Sequence, residues 1–198
     1  MADTKTSDEA AAKGNDAEAS TEAKAPGRKR ITRRKAVEAH VRSYFDAINS
    51  RDPQAVAQHW AEDGVDEIVP QGVLRGRPDI ASYFADLFAA CPDLETSVTR
   101  VVAGERQAAV EWRMRGTFNG GPFQGIEATG KVCELRGLDL MDVEDGQLTG
   151  NTGYFDGADF ARQIGMMPPQ DSGAERAMKG AFNAVTKLKR AVNERRPG

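Results

Sequence analysis

The sequence offers one acid placed where acids often do chemistry. Asp156 closes a strand-like run from Gln147 to Phe155 and stands just before a turn at Gly157. An acid at a strand end can point into a cavity while rigid neighbours hold it in place. In an apolar cavity, desolvation raises its pKa. Such a carboxylate can remove a proton next to a carbonyl and return it elsewhere, a step shared by aldol ring closure and double-bond isomerisation. That step needs no metal and no cofactor. It does need a donor for the developing enolate oxygen, and Tyr44, Arg136 and Asn151 are candidates. Asp156 has a second reading with no chemistry in it: an Asp before Gly157 and Ala158 suits the cap of a following helix.

Three more acids, Asp63, Asp66 and Glu67, cluster in one loop-and-strand segment, where any one can line a cavity mouth or simply be solvated. His40 and His59 invite a catalytic or metal role, but no further His or Cys lies at ligand spacing, so they read as structural. His59 stays a minor pocket candidate because Trp60 follows it. The glycine-rich stretch from Phe118 to Gly130 has no lysine where a phosphate loop needs one and opens no helix, so it reads as a hairpin loop able to act as a lid.

The elements that must position these groups follow from periodicity. Val37, Val41, Tyr44, Phe45 and Ile48 share one face of a helix over about 32–50. Asp52 and Pro53 start a short second helix that carries Ala55, Val56 and Trp60 inward. Short strands flank the turn at 70–72. A third helix, with Ile80, Tyr83, Phe84, Leu87, Phe88 and Cys91 on one stripe, stops at Pro92. The period then changes to two over 94–102, 107–118 and 131–143, and again over 147–155. These four strands form an antiparallel meander. Across 107–118, Val110, Trp112 and Met114 share a face opposite Glu111, Arg113 and Arg115. A curved sheet with three helices on its concave side encloses a cone, and Tyr44, Trp60, Trp112 and Met114 are its expected apolar lining.

The 198 residues suffice for one domain with a core, and a net charge of −3 gives no global pull toward nucleic acid. Residues 1–30 form a polar tail, expected to be disordered, that ends in Arg28, Lys29 and Arg30; Arg33, Arg34 and Lys35 continue the basic run. That run has no interleaved aromatics, so no specific nucleic-acid site is expected. Cys91 and Cys133 show no framework spacing and read as reduced thiols in the cytoplasm. No apolar run reaches the length of a membrane span. The domain occupies 31–169. Residues 170–198 form a hinge and an amphipathic helix with Met178, Phe182, Val185 and Leu188 on one side and Arg176, Lys179, Lys187 and Arg190 on the other. That helix can contact a membrane surface weakly, but its mostly alanine apolar face without Trp argues against strong membrane binding and favours docking on a partner, on its own domain or on a dimer mate.

Asp145-Gly146-Gln147-Leu148, Tyr154-Phe155-Asp156, Gln163-Ile164-Gly165 and Pro168 together resemble the C-terminal signature of SnoaL-like proteins, a branch of the NTF2-like superfamily. The resemblance spans about 35–170. It implies an α+β cone, a curved antiparallel sheet with three N-terminal helices enclosing a pocket, with a helical extension added here. It further implies a homodimer, a small apolar molecule in the pocket with Tyr154 among its contacts, and Asp156 as general acid and base. Relatives include polyketide and ester cyclases, ketosteroid isomerases and non-catalytic binding or assembly domains. The chain departs from the cyclase pattern at Asn151-Thr152, where those cyclases often carry His-Trp. Asn cannot shuttle protons near neutral pH.

Overall fold

The computed structural model describes residues 26–194. The expected disorder of the first residues and the last four positions of the chain lie outside that range. Helix α1, Pro26–Ser50, begins earlier than Thr32. Its basic lead-in is rich in good helix formers, and Pro26 suits a first turn. Val37, Val41, Tyr44, Phe45 and Ile48 form its buried face. The Asp52 carboxylate caps α2, Pro53–Gln58, accepting from Gln54 N at 2.9 Å and Ala55 N at 3.3 Å. Trp60 opens strand β1, Trp60–Val69, rather than extending α2. Strand β2, Gly72–Arg75, folds back on β1, and helix α3, Gly76–Ala90, follows. The Asp79 carboxylate secures that start by accepting from Arg75 N at 3.0 Å.

Strands β3 (Glu95–Ala103), β4 (Gln107–Phe118), β5 (Lys131–Glu144) and β6 (Gln147–Phe155) form the expected antiparallel meander. Strand β6 then joins β1 in parallel, giving a six-stranded sheet in the order β2-β1-β6-β5-β4-β3. Helix α4, Gly157–Gln163, and helix α5, Gly173–Glu194, complete the described chain.

One face of the sheet carries the core. Helix α1 lies against β3 and β4, and α3 against β1 and β2. Val41, Ile80, Val110, Met141 and Leu148 are fully buried between the layers. The stretch between β4 and β5 turns inward rather than standing free. Phe123 is buried there, edge-on to Tyr83 at 5.6 Å. The result is the α+β cone expected from the sequence. Helix α5 is the exception, because its apolar residues join no part of the core.

Candidate active site

A cavity of about 120 Å³ occupies the cone between α1, α3 and the concave face of the sheet. Its walls are mostly apolar, with Phe45, Ile48, Phe84, Leu87, Met114 and Leu135 among them. The polar groups that reach it are few: Tyr44, Asp66, Gln71, Tyr83, Asp139 and Asn151.

Two of these are aspartates buried on the inner face of the sheet. Asp66 lies in the middle of β1 and Asp139 in the middle of β5, with β6 between them. Asp66 is 2% exposed and Asp139 8% exposed. Asn151, on β6, is the register partner of Asp66. Its Nδ2 donates to Asp66 Oδ1 at 2.9 Å. On the other side, the Trp112 indole Nε1 donates to Asp139 Oδ1 at 2.8 Å. A buried carboxylate with so few donors is poorly compensated for lost water. Burial therefore pushes Asp66 up to about 6, with the Asn151 hydrogen bond opposing the rise. Burial pushes Asp139 up to about 7; the Trp112 bond opposes this, the charge of Asp66 adds to it, and the Asn151 amide opposes it.

Two glycines make room for this arrangement. Gly137 faces Trp112 across the β4–β5 ladder. A Cβ there would lie 2.2 Å from the Trp112 ring, so only glycine lets the indole cross β5 and reach Asp139. Gly153 faces Asp139 across the β5–β6 ladder, and a Cβ there would lie 2.9 Å from Asp139 Oδ1. The carboxylate occupies space that any other residue at 153 would take.

The two tyrosines stand on the helical side. Tyr83 Oη donates to Gln71 Oε1 at 2.7 Å. Burial raises the pKa of both Tyr44 and Tyr83, and the charges of Asp66 and Asp139 raise them further. Both are neutral donors at physiological pH. The Asn151 Oδ1 atom is buried without a hydrogen-bond partner. A buried carbonyl oxygen of this kind is free to accept from a ligand hydroxyl or amide.

The residues singled out in the sequence divide cleanly. Tyr44, Trp112, Met114, Asn151 and Asp66 line the cavity. Asp156 does not: it is exposed, and its Oδ1 accepts from Asp159 N at 2.9 Å as the cap of α4. Trp60 is fully buried, edge-on to Tyr44 at 6.0 Å, and belongs to the core behind the wall. Arg136 and Tyr154 point out of the cone, because each lies one residue away from the inward parity of its strand. Asp63 and Glu67 are exposed. His40 and His59 pack against each other at 5.2 Å outside the cavity, and burial lowers the pKa of both. Among the described residues no cluster of His, Cys, Asp or Glu has metal-binding geometry.

Asp139, Tyr83 and Gln71 were not among the sequence candidates. For Asp139 a signal existed. It shares parity with Cys133, Leu135, Met141 and Val143, which are the inward residues of β5. The flanking Leu138 and Leu140 obscure this; they are apolar yet 42% and 49% exposed.

Comparison with known proteins adds a family and a fold. The family model of SnoaL-like polyketide cyclases matches residues 38–164. A SnoaL-like protein from Jannaschia sp. CCS1 superposes with a TM-score of 0.61 at 20% identity, covering 68% of this chain and 95% of its own. TsrD from Streptomyces laurentii gives 0.60 at 21% identity, covering 68% and 98%. A protein of ketosteroid isomerase-like fold from Catenulispora acidiphila, solved in complex with trimethylamine, gives 0.56 at 18% identity, covering 66% and 97%. At these identities the likeness is one of fold. No curated protein sequence gives a significant match.

Proposed function

The chain belongs to the SnoaL-like polyketide cyclase family, and from that premise we propose that it is a cofactor-free enzyme of the cyclase or isomerase type. In this reading it moves a proton at the carbon next to a carbonyl in a small, mostly apolar compound. One observation carries the proposal: two buried carboxylates face a single apolar cavity. Members of this fold do many things, so the site and not the fold supports this reading.

The roles follow from the different surroundings of the two acids. Burial raises the pKa of both acids toward neutrality; the Asn151 amide donor favours the ionised form of Asp66, which serves as the base. The charge of Asp66 pushes Asp139 further in the same direction and favours its protonated form. In that form it donates a hydrogen bond to the substrate carbonyl and stabilises the enolate oxygen as charge develops there. The Trp112 indole fixes the orientation of Asp139, and Asn151 fixes that of Asp66. In an isomerisation, the proton held on Asp66 returns to a different carbon. In a ring closure, the enolate carbon attacks a second carbonyl, whose oxygen takes the proton. Asp156 stands outside this scheme as the cap of α4.

A panel of small ketones and β-keto esters incubated in deuterated water tests the proposal. The expected result is exchange at the carbon next to the carbonyl with the native protein, and its loss in Asp66→Asn and Asp139→Asn. Absence of exchange across compounds that demonstrably bind in the cavity sinks the reading. We further propose a cytoplasmic homodimer. The unpaired thiols of Cys91 and Cys133 suit a reducing compartment. The exposed Val102, Leu138, Leu140 and Tyr154 on the convex sheet face supply an apolar patch for pairing. Sedimentation velocity of the native chain against Leu140→Lys checks the dimer, which the variant is expected to dissociate.

A further inference from the structure

We propose that α5 is a membrane-surface helix that lies on anionic bilayers. This inference is independent of the catalytic reading. The two most exposed large apolar side chains among the described residues lie on α5. Phe182 is 71% exposed and Leu188 66%, and Met178, Val185 and Val192 are exposed beside them. At 3.6 residues per turn these five fall on one side of the helix, flanked by Ala177, Ala184 and Ala191. The apolar surface thus covers about half the circumference.

The opposite side holds Arg176, Lys179, Lys187 and Arg190, while Lys189 stands within the apolar side between Met178 and Phe182. Over 173–194 the chain carries five basic residues, Arg176, Lys179, Lys187, Lys189 and Arg190, against Glu175 and Glu194. Glu175 is buried and already engaged. Its carboxylate accepts from Asp171 N at 2.8 Å and pairs with Lys179 at 3.1 Å and with Arg162 of α4 at 3.8 Å. The Ser172 hydroxyl accepts from Glu175 N at 3.1 Å and closes the cap. These bonds fix the start of α5 on α4, whose Phe160 lines the cavity. The rest of the helix carries its apolar and basic faces away from the core.

Charge decides what covers that face. In a chain of net charge −3, α5 is a local concentration of positive charge. A second copy of α5 is a poor occupant. The positions flanking a pairing seam hold Ala177, Ala184, Ala191, Phe182 and Lys189, with no acid to pair across the interface. The apolar arc is also wider than a pairing seam needs. An anionic bilayer fits both faces at once: Phe182 and Leu188 enter the boundary of the acyl chains, while the lysines and arginines meet lipid phosphates. The same attachment sets the α4 wall of the cavity close to the bilayer.

Co-sedimentation of the full chain with vesicles tests this. One set is phosphatidylcholine alone; the other contains roughly one third phosphatidylglycerol. Binding to the anionic set is expected to be at least roughly tenfold stronger and to fall at high salt. Phe182→Ser with Leu188→Ser should lose binding, and Lys187→Glu with Arg190→Glu should lose the preference for anionic lipid. These side chains are exposed, so thermal unfolding of the domain should not move. The proposal is overturned if the native chain stays in the supernatant with anionic vesicles. Equal binding to neutral vesicles overturns it as well. So does light scattering that shows an oligomer which Phe182→Ser dissolves, since a second copy is then the occupant.

Discussion

Asp139 on β5 and Asp156 just past the end of β6 are the same side chain, and they lead different lives. Asp139 lies opposite Gly153 in the β5–β6 ladder, three positions before Asp156. Asp139 points into the cone, meets an indole N–H and little else, and is pushed up to about 7 by burial. Asp156 leaves the end of β6, is exposed, and satisfies a backbone N–H at the first turn of α4. The difference teaches that strand parity, more than position at a strand end, decides whether a carboxylate can act as an acid or base at neutral pH. A strand end offers water and free amides. The inner face of a sheet offers neither, and desolvation then does the tuning.

The largest effect that separates the two acids is on turnover. Asp66→Asn and Asp139→Asn are each expected to slow proton exchange by about 10²–10⁴-fold, the usual worth of a positioned acid or base. Asp156→Asn should leave the rate within about twofold, since Asn caps a helix as well as Asp does. Rates from deuterium incorporation check this. The comparison breaks if Asp156→Asn is the variant that fails while Asp139→Asn remains active.

The next effect is on stability, and it runs in the opposite direction. The pKa of Asp139 in the fold is raised from 3.8 to about 7, so between those values the folded state holds more protons than the unfolded chain. Stability therefore falls as pH rises through that window and is lowest above it. Asp139→Asn removes the ionisable group while keeping an oxygen for the Trp112 N–H. At pH 8 it should stabilise the protein by up to roughly 4 kcal/mol, and near pH 4 by little. Urea unfolding at the two pH values measures the difference. A variant no more stable than the native chain at pH 8 would mean that Asp139 is not desolvated. Loss of function joined to gain of stability is the pattern expected where a strained group is kept for its chemistry.

Smaller still is the effect of closing the space around Asp139. Gly137→Ala places a methyl where the Trp112 ring now lies. The indole must shift, and so must the Tyr154 carbonyl oxygen of β6, which the methyl would approach to 2.6 Å, at a cost of about 1–3 kcal/mol or more for overpacking. Its hydrogen bond to Asp139 should lengthen or break. With one opposing donor removed, the pKa of Asp139 should rise further, so the basic limb of the pH–rate profile should move to higher pH. A profile unchanged in shape, with only stability lowered, would reduce Trp112 to packing.

Much of the cone was legible because it is written in periods. Strands β4 and β6 have the boundaries that alternation and the Asp145-Gly146 turn indicate, and the apolar stripe of α3 matches its buried face. The site was legible only in part. Trp112 and Met114 follow from parity within β4, and Asn151 from its place in β6. Asp139 was hidden because hydrophobicity and parity disagree around it: Leu138 and Leu140 face outward and the acid faces inward. A rule that sends apolar residues inward misplaces this segment by one residue, which turns every side chain to the wrong face. Arg136 is the same error seen from the other side. Asp66 stood among three acids whose types alone do not rank them, and only the β1–β6 pairing with Asn151 separates it from Asp63 and Glu67.

The smallest effect belongs to the acid outside the cone. If Asp156 acts only as a cap, Asp156→Ala loses one side-chain hydrogen bond at the start of α4 and costs about 1 kcal/mol. Helix α4 places Phe160 on the cavity wall and carries the root of α5 through Arg162, so fraying at its first turn reaches both features. The cost should nevertheless appear in the unfolding midpoint and not in the pH–rate profile, because the carboxylates that titrate with the reaction lie on β1 and β5. Asp156→Asn restores the acceptor without the charge and should recover the lost stability. A rescue in stability with the profile unchanged in all three proteins confines Asp156 to its structural role. A profile that shifts with Asp156→Asn would bring it back into the chemistry and dissolve the distinction between the two aspartates.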